Sequence, residues 1–325
     1  DINTGVCHQV LPEKGHVLPG TLILGADSHT TTYGAFGAFS AGIGRSEVAS
    51  IWATDEIWLK VPETIKINIE GDIPSGLYPK DIILHIIGNL GADGVLYKAV
   101  EFGGKVVREM SISGRMTLCN MAVEMGAKNG YVQPDEKTIK WLSSRTNKKY
   151  RVIKSDLDAK FEKIINYDIS KLEPQIACPH TVDNVRPVSE VIGTKIDQAL
   201  IGTCTNGRIE DLKIASEILK GKRISNKVRL LIFPASMEIY AEAMELGIFQ
   251  ELVKSGAVIM NPGCGPCLGA HEGVLAPGEV CLSTANRNFK GRMGCKEAEV
   301  YLASPATVAI SSLYGEITDV RENLK

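Results

Sequence analysis

The chain has 325 residues, 44% of them hydrophobic and 23% charged, and its formal net charge is −2. This length suits two or three globular domains, and the balanced charge argues against a nucleic-acid-binding face, which leaves small-molecule chemistry as the expected function. Apolar runs such as 199–202 and 230–233 are far shorter than the ~18 residues of a membrane span, and no signal-peptide pattern follows Asp1. We therefore expect a cytoplasmic protein without a membrane or nucleic-acid partner, with further sequence upstream.

The N-terminal residues predict part of an α/β domain. The run TLILGA at 21–26 reads as a strand, and a glycine-rich turn and a helix over about 46–59 follow it. We assign 1–62 to the C-terminal part of a first α/β domain, whose N-terminal part would precede Asp1.

A second α/β domain is predicted at 63–185. A strand at 65–71, a helix at 79–89 and an amphipathic helical segment at 112–125 define it. Basic and acidic residues alternate at 135–163, which predicts solvated surface or linker rather than a basic binding patch.

The last third of the chain alternates apolar runs with helical patterns. Strands are predicted at 199–203, 228–235, 257–262 and 280–285, and helices at 209–220, 237–255 and near 296–303. Such alternation is typical of βαβ units and a parallel, helix-covered sheet. We assign 186–325 to a third α/β domain.

Three cysteines follow two of these strands. Cys204 comes directly after the first, and Cys264 and Cys267 follow the third in NPGCGPCLGA. Because the carboxyl ends of parallel strands form the crevice where ligands bind, the three thiols can converge there. Three thiolates among glycines suit a 4Fe-4S cluster with one iron left open.

Two other interpretations of the cysteines stay open at this point. CGPC also matches a thioredoxin-type redox pair, although that motif follows the first strand of a small domain. A zinc site would need a fourth ligand, which Cys281 or Cys295 could supply. Five cysteines are expected to be small core residues rather than ligands: Cys7, Cys119, Cys178, Cys281 and Cys295.

Polar residues at a further strand end suggest proton chemistry. Asp27, Ser28 and His29 directly follow TLILGA and could bind a substrate hydroxyl and move its proton, although Asp and Ser also cap helices. Asn120 and Glu124 are four residues apart and share a face of an otherwise apolar helix. They either face solvent or reach into a site.

Two arginines follow the strand at 280–285. Arg287 and Arg292, beside Asn286, could bind a substrate with more than one carboxylate, because a guanidinium binds carboxylate bidentately. His8 is a candidate partner for Glu124, but a single histidine is more often a packing residue.

Seven motifs in order resemble the aconitase superfamily, and most closely the large subunits of the 3-isopropylmalate dehydratase and homoaconitase type. They are CHQVLPE at 7–13, GADSHTTTYGAFGAFSAGIG at 25–44, CNMAVEMGA at 119–127, GTCTNGRIED at 202–211, NPGCGPCLGAHEG at 261–273, NRNFKGRMG at 286–294 and YLASPATVA at 301–309. The resemblance implies an aconitase-like α/β fold, with several three-layer units and mostly parallel sheets around a 4Fe-4S cluster.

The resemblance also implies the roles of individual residues. One 4Fe-4S cluster would have three protein thiolate ligands, Cys204, Cys264 and Cys267. Catalytic positions would be His8, Asp27, Ser28, His29 and Glu124. Substrate contacts would be Asn120, Asn286, Arg287 and Arg292.

The implied reaction is dehydration and rehydration of a di- or tricarboxylic, malate-type hydroxy acid. In the family, an Asp-His pair precedes the position of Asp1, and a swivelling domain with a Ser-Arg element follows that of Lys325. An end near Lys325 favours the branch in which that domain is a separate small subunit. The rival functions are a CGPC thiol-disulfide oxidoreductase and a binding protein that has kept the fold without the chemistry.

Overall fold

The computed structural model describes residues 4–323 of the chain. Contacts between its residues group the chain into two compact units, each described separately below. Unit 1 comprises Asp1–Val10, Pro74–Asn89 and Leu172–Lys325, and unit 2 comprises Leu11–Ile73 and Leu90–Lys171.

The described residues form thirteen strands, eleven α-helices and short 3-10 helices. The strands are β1 Leu22–Gly25, β2 Phe39–Gly42, β3 Thr64–Glu70, β4 Ala99–Gly103, β5 Asn129–Val132, β6 Lys163–Asp168, β7 Gln175–Ala177, β8 Val185–Pro187, β9 Gln198–Gly202, β10 Arg229–Phe233, β11 Val258–Ile259, β12 Val280–Ser283 and β13 Glu299–Leu302. The α-helices are α1 Cys7–Glu13, α2 Arg45–Thr54, α3 Pro79–Leu90, α4 Lys105–Glu109, α5 Ile112–Met121, α6 Glu136–Ser143, α7 Thr203–Asn206, α8 Ile209–Leu219, α9 Met237–Glu245, α10 Ile248–Ser255 and α11 Pro305–Tyr314. The 3-10 helices are Ser28–Phe36, Ala122–Met125, Val188–Glu190, Gly265–Leu268 and Val320–Asn323.

Unit 1 is built on a seven-stranded sheet in the order β11-β10-β9-β12-β13-β7-β8. Strands β9 to β13 are parallel to one another, β7 is antiparallel to β13, and β8 is antiparallel to β7. The central strand β9 is buried along its whole length, as expected of a parallel strand covered on both faces. Gly202 pairs with Phe233 and Leu200 with Ser283, so the carboxyl ends of β9, β10 and β12 lie at one edge. The parallel α/β sheet predicted for this part of the chain is confirmed.

Two predicted helices of unit 1 differ from the structure. The helix predicted at 237–255 is two helices, because Gly247 between α9 and α10 has a φ of 71° and interrupts the helical backbone. The helix predicted near 296–303 is wrong: β13 lies there, with Val300 and Leu302 buried and Glu299 exposed in strand-like alternation. The helix starts later, at α11, where the Ser304 hydroxyl accepts a hydrogen bond from the Thr307 N–H.

Unit 2 contains a four-stranded parallel sheet in the order β5-β4-β3-β6 and a two-stranded parallel sheet of β1 and β2. Strand β3 buries alternate side chains, including Ile65, Ile67 and Ile69. Helix α2 is shorter than predicted and ends at Thr54, because the following residue, Asp55, has a left-handed φ of 57°.

The stretch at 135–163 is not uniformly solvated, contrary to the sequence interpretation. Helix α6 forms inside it and buries Thr138 and Leu142. Asp135 caps this helix and also pairs with the fully buried guanidinium of Arg115. This charged stretch therefore contributes to the interior of unit 2, where the Asp135 carboxylate has the Arg115 guanidinium as its partner.

Sheet membership crosses one predicted domain boundary. Strand β7, which falls inside the predicted second domain at 63–185, pairs with β13 of the unit 1 sheet, and β8, which begins at Val185, pairs with β7. The division into 1–62, 63–185 and 186–325 stays a prediction. Within residues 4–323, no helix is both long and apolar enough to cross a membrane.

Candidate functional site

The side chain of Asn286 joins two of the three predicted cluster cysteines. Its amide nitrogen donates to Cys204 Sγ at 3.5 Å and to Thr205 Oγ1 at 3.1 Å, while its amide oxygen accepts from Cys267 Sγ at 3.6 Å. Asn286 is 1% exposed, and both thiols are also buried. The loops that follow β9 and β12 and the CGPC loop therefore meet in unit 1, as the strand order predicted.

The backbone directly before Cys204 is strained. Gly202 has a φ of 145°, and a Cβ at this position would lie 2.1 Å from the carbonyl oxygen of Phe233. Thr203 has a φ of 68°, which is unusual for a β-branched residue. Strain of this kind concentrates at functional sites, and here it turns the chain from β9 into the short helix α7 that carries Cys204.

The CGPC sequence forms a single 3-10 turn. Cys264 begins it, and its carbonyl accepts a hydrogen bond from the Cys267 N–H at 3.1 Å. Gly265 has a φ of 53°, and a Cβ there would lie 2.7 Å from the Phe233 ring. Glycine is therefore required between the two cysteines for the turn to lie against the core.

Buried polar atoms without partners occur in the segments that carry Cys204 and Asn286. Within residues 4–323, they are Asn206 Oδ1, Asn288 Oδ1 and Arg292 Nε. The Asn288 amide nitrogen donates to the carbonyl of Cys178 at 2.8 Å, so that side chain lies beside the segment that follows β7. Because buried polar atoms are nearly always paired, the unpaired Nε of Arg292 is a candidate contact for a ligand. Arg292 also directs Nη2 toward Cys267 Sγ at 3.9 Å.

The donor set fits an iron-sulfur cluster better than a single metal ion. No group of three His, Cys, Asp or Glu side chains among the described residues could hold one ion, whereas a cluster accepts each thiolate on a different iron. Burial raises the pKa of Cys281 to about 12, and its Sγ accepts a hydrogen bond from Gln198 Nε2 at 3.8 Å. Burial likewise raises the pKa of Cys119 and of Cys178. The prediction of core residues is confirmed for Cys119, Cys178 and Cys281, which are buried, but it is wrong for the exposed Cys7 and the half-buried Cys295.

A buried arginine that sequence reasoning had not singled out clamps the Cys204 loop. Arg208 is 2% exposed; its Nη2 donates to the carbonyl of Cys204 at 2.6 Å and its Nη1 to that of Thr205 at 2.7 Å. Its Nε donates to Gln9 Oε1 at 3.1 Å, and Gln9 neighbours the buried His8 on α1. The only sequence signal was its place in GTCTNGRIED.

Asp211 completes this arrangement at the start of α8. Its two carboxylate oxygens accept from the Arg208 N–H at 3.0 Å and from the Asn206 amide at 2.9 Å. Burial raises the pKa of Asp211 to about 6, although the Arg208 charge and these hydrogen bonds partly oppose the rise.

Unit 2 holds the other group of predicted site residues. Glu124 Oε1 lies 2.7 Å from His29 Nε2, and both side chains are buried. The Asp27 carboxylate caps the 3-10 helix by accepting from the His29 N–H at 2.8 Å. Asn120 donates from its amide to Thr32 Oγ1 at 2.9 Å. Glu124 thus has His29 as a partner within unit 2, and its pairing with His8 stays a prediction.

Ser28 lies beside a cavity of about 340 Å³ within unit 2, together with Glu47 and Lys128. In unit 1, Arg287 is half-buried and His8 is 2% exposed, with Cys7 Sγ 3.7 Å from its Nδ1. The twelve predicted site residues thus fall into two groups, one in each unit.

Comparison with known proteins identifies the family. Residues 1–315 match the aconitase family (aconitate hydratase). The chain belongs to the aconitase family. This confirms the resemblance inferred from the seven motifs and the aconitase-like α/β fold.

Curated relatives of the chain carry two different names. The 3-isopropylmalate dehydratase large subunit 1 of Methanopyrus kandleri is 55% identical over 324 residues, which is 100% of this chain and 78% of that protein. A probable methanogen homoaconitase large subunit of Methanosarcina mazei is 56% identical over 322 residues, 99% of this chain and 82% of that protein. Among solved structures, the crystal structure of Thermococcus kodakaraensis aconitase X in its holo-form aligns with 87% of this chain and 67% of its own, at a TM-score of 0.48 and 14% identity.

Proposed function

We propose that this chain is the large subunit of a [4Fe-4S] hydro-lyase that isomerises a malate-type hydroxy acid by dehydration and rehydration. The observation that carries the proposal is the contact of the buried Asn286 amide with both Cys204 and Cys267. Aconitase-family membership and relatives named as dehydratase large subunits support the same reaction class. The substrate proposed first is 3-isopropylmalate.

Cys204, Cys264 and Cys267 are proposed as the three thiolate ligands. The two that contact Asn286 have a hydrogen-bonding side chain already in place, and the glycine turn at Gly265 brings Cys264 into the same loop as Cys267. When bound, the cluster supplies a Lewis acid that polarises the substrate hydroxyl.

Arg287 and Arg292 are proposed to bind substrate carboxylates. A guanidinium holds a carboxylate with two parallel hydrogen bonds, so two arginines can orient a substrate with two such groups. Arg292 has a buried Nε without a protein partner, as a residue awaiting a ligand would. Binding both carboxylates would fix which carbon loses the hydroxyl and which loses the proton.

His29 and Glu124 are proposed to handle protons. The Glu124 carboxylate accepts the Nε2 proton of His29, which fixes the orientation of the ring and leaves Nδ1 to exchange a proton with a hydroxyl group. Asp27, which caps the same 3-10 helix, and Ser28 are proposed to bind that hydroxyl. Asn120 and His8 are proposed to complete the substrate and catalytic positions, as the family resemblance implies.

The proposed enzyme works with a separate small subunit. Relatives at 51–55% identity are named as large subunits, which supports a smaller partner chain. We propose that this partner provides the swivelling domain and the Ser-Arg element that acts as the base.

Homoaconitase is the second candidate, because a relative of that name is as similar as the dehydratase, at 56% against 55% identity. Both candidates share the cluster and the hydroxy-acid chemistry and differ in the side chain of the substrate. Assays of the chain reconstituted with a small subunit from each type of relative, on 3-isopropylmalate and on homocitrate, separate the two.

The test of the cluster compares Cys264→Ser with Cys178→Ser. Protein reconstituted anaerobically should hold about four irons per chain. Cys264→Ser should lose iron and activity, whereas Cys178→Ser should lose neither. Equal iron in the two variants would remove the ligand assignment, and thiol-disulfide exchange activity without iron would favour the oxidoreductase function.

A further inference from the structure

Lys80 is a lysine with no solvent exposure, at the second position of α3. Its Nζ donates to the backbone carbonyls of Thr284 at 2.9 Å and Ala285 at 2.5 Å. Removing an ammonium group from water is unfavourable unless its hydrogen bonds are replaced, so a lysine in this position needs a specific reason.

The two carbonyls lie at a particular point of unit 1. Thr284 and Ala285 follow β12 and directly precede Asn286, the residue whose amide contacts both Cys204 and Cys267. On the other side of the same turn, Thr284 Oγ1 accepts from the Gly202 N–H at 2.9 Å, two residues before Cys204. Lys80 therefore holds the segment from which the amide between the thiols projects.

Lys80 is itself fixed by the first turn of α3. The neighbouring Asp81 is fully buried, and its carboxylate accepts from the N–H groups of Tyr78 at 2.9 Å and Gln175 at 3.0 Å. These bonds tie α3 to β7 and restrict where the lysine side chain can begin. Gln175 is the first residue of that strand, so the support continues into the sheet.

We propose that Lys80 is a positioning residue of the cysteine site: it fixes the peptide groups of Thr284 and Ala285 and so holds the Asn286 amide between Cys204 and Cys267. The inference deepens the proposed function, on which it rests for the identity of the bound cluster. Sequence reasoning could not find it, because Lys80 lies 204 positions from Thr284 and belongs to none of the motifs.

The variant that tests the role is Lys80→Met, which keeps an unbranched side chain but cannot donate to the carbonyls. In the cluster-free full chain, iodoacetamide should alkylate Cys204 and Cys267 faster in this variant. In the anaerobically reconstituted protein, the cluster should be lost in air about tenfold faster, the scale on which residues behind metal ligands act. The electron paramagnetic resonance spectrum of the reduced cluster should also change.

Lys137→Met is the matched control. Lys137 is likewise the second residue of a helix, α6, and its Nζ donates to the carbonyls of Arg108 at 2.8 Å, Glu109 at 2.5 Å and Met110 at 3.3 Å. It lies in unit 2, and these three carbonyls belong to the end of α4 and the residue that follows it, away in the sequence from the segments that carry Cys204 and Asn286. Its variant should leave thiol reactivity, cluster lifetime and spectrum unchanged, whatever its melting temperature.

Lys80→Arg should show the wild-type alkylation rates, cluster lifetime and spectrum, because a guanidinium can donate to both carbonyls. If Lys80→Met does not fold, Lys80→Gln, which can reach at most one carbonyl, takes its place in each comparison. Wild-type alkylation rates and spectrum in a Lys80 variant whose melting temperature falls would overturn the positioning role. If the wild-type chain binds no iron, the proposed function fails, while the alkylation rates still decide the role of Lys80.

Discussion

The carboxylate of Glu124 lies 2.7 Å from Nε2 of His29, although 95 positions of sequence separate the two residues. Their side chains are 7% and 6% exposed, so solvent screens this pair little. His29 is also the residue whose backbone N–H is held by Asp27. The imidazole is thus fixed at both its backbone and its ring, as a group that transfers protons to a bound substrate must be.

Glu124→Gln should lower kcat/KM about 10²–10³-fold, because the amide keeps a contact with His29 but no longer supports positive charge on the ring. Iron content should not change. Glu101→Gln is the control, since Glu101 is equally buried in unit 2 and bonded to Lys66, Gln133 and Ser155. A similar loss of kcat/KM in both variants would indicate a general effect on folding.

Arg287→Lys should lower kcat/KM by a factor that corresponds to roughly 2–4 kcal/mol of transition-state stabilisation. This is the scale of a desolvated charged pair that loses its bidentate geometry. The lysine keeps the charge, so cluster content should stay the same. Arg292→Lys should behave similarly. Arg145→Lys is the surface control, because that guanidinium stacks on Trp141 and lies in an exposed stretch of unit 2. An unchanged kcat/KM in Arg287→Lys would mean that the residue does not bind the substrate.

Arg208→Met should lower the free energy of unfolding by about 2–4 kcal/mol, because the buried carbonyls of Cys204 and Thr205 lose their donors. The variant should also bind iron less tightly, since the loop that carries Cys204 is no longer clamped. Urea unfolding and iron analysis measure the two effects. Arg229→Met removes a half-exposed pair with Glu279 and should cost less than about 1 kcal/mol.

The stability contribution of Asp81 should depend on pH. Burial raises the pKa of Asp81 from 3.8 to about 7 in the folded protein. The folded state therefore holds the proton over a pH range in which the unfolded state has released it, and stability is lost as pH rises from about 4 to 7. Relative to Asp81→Asn, the free energy of unfolding of the wild type should fall by about 4 kcal/mol across this window, at about 1.4 kcal/mol per pKa unit.

Asp135→Asn provides the contrast for this titration. Burial alone would raise the pKa of Asp135, but hydrogen bonds from Arg115 and Thr138 and the charge of Arg115 lower it below its usual value. The contribution of Asp135 to the free energy of unfolding is present above the pKa that this residue has in the unfolded chain, and it is lost only in acid. The difference between wild type and Asp135→Asn should therefore stay constant between about pH 5 and 8, and a parallel fall in both variants would contradict the assignment to Asp81.

The sequence by itself determined the family, the order of most elements and the loops that carry the chemistry. Cys204 and Asn286 could be placed at one edge because parallel strands present their carboxyl ends together, and hydrophobic runs mark the strands. The hydrophobic pattern did not distinguish a helix from a strand where the two signals overlap. The segment of β13 was therefore predicted as a helix.

Only the tertiary structure decided which side chains touch. The Asn286 amide reaches Cys204 across 82 positions, and His29 contacts Glu124 across 95. The buried cations Arg208 and Lys80 hold the backbone of two loops, although neither stands out by composition or spacing. Contacts of this kind depend on strand register and on the rotation of each helix against the sheet, which are set by packing of the whole core and not by any local pattern.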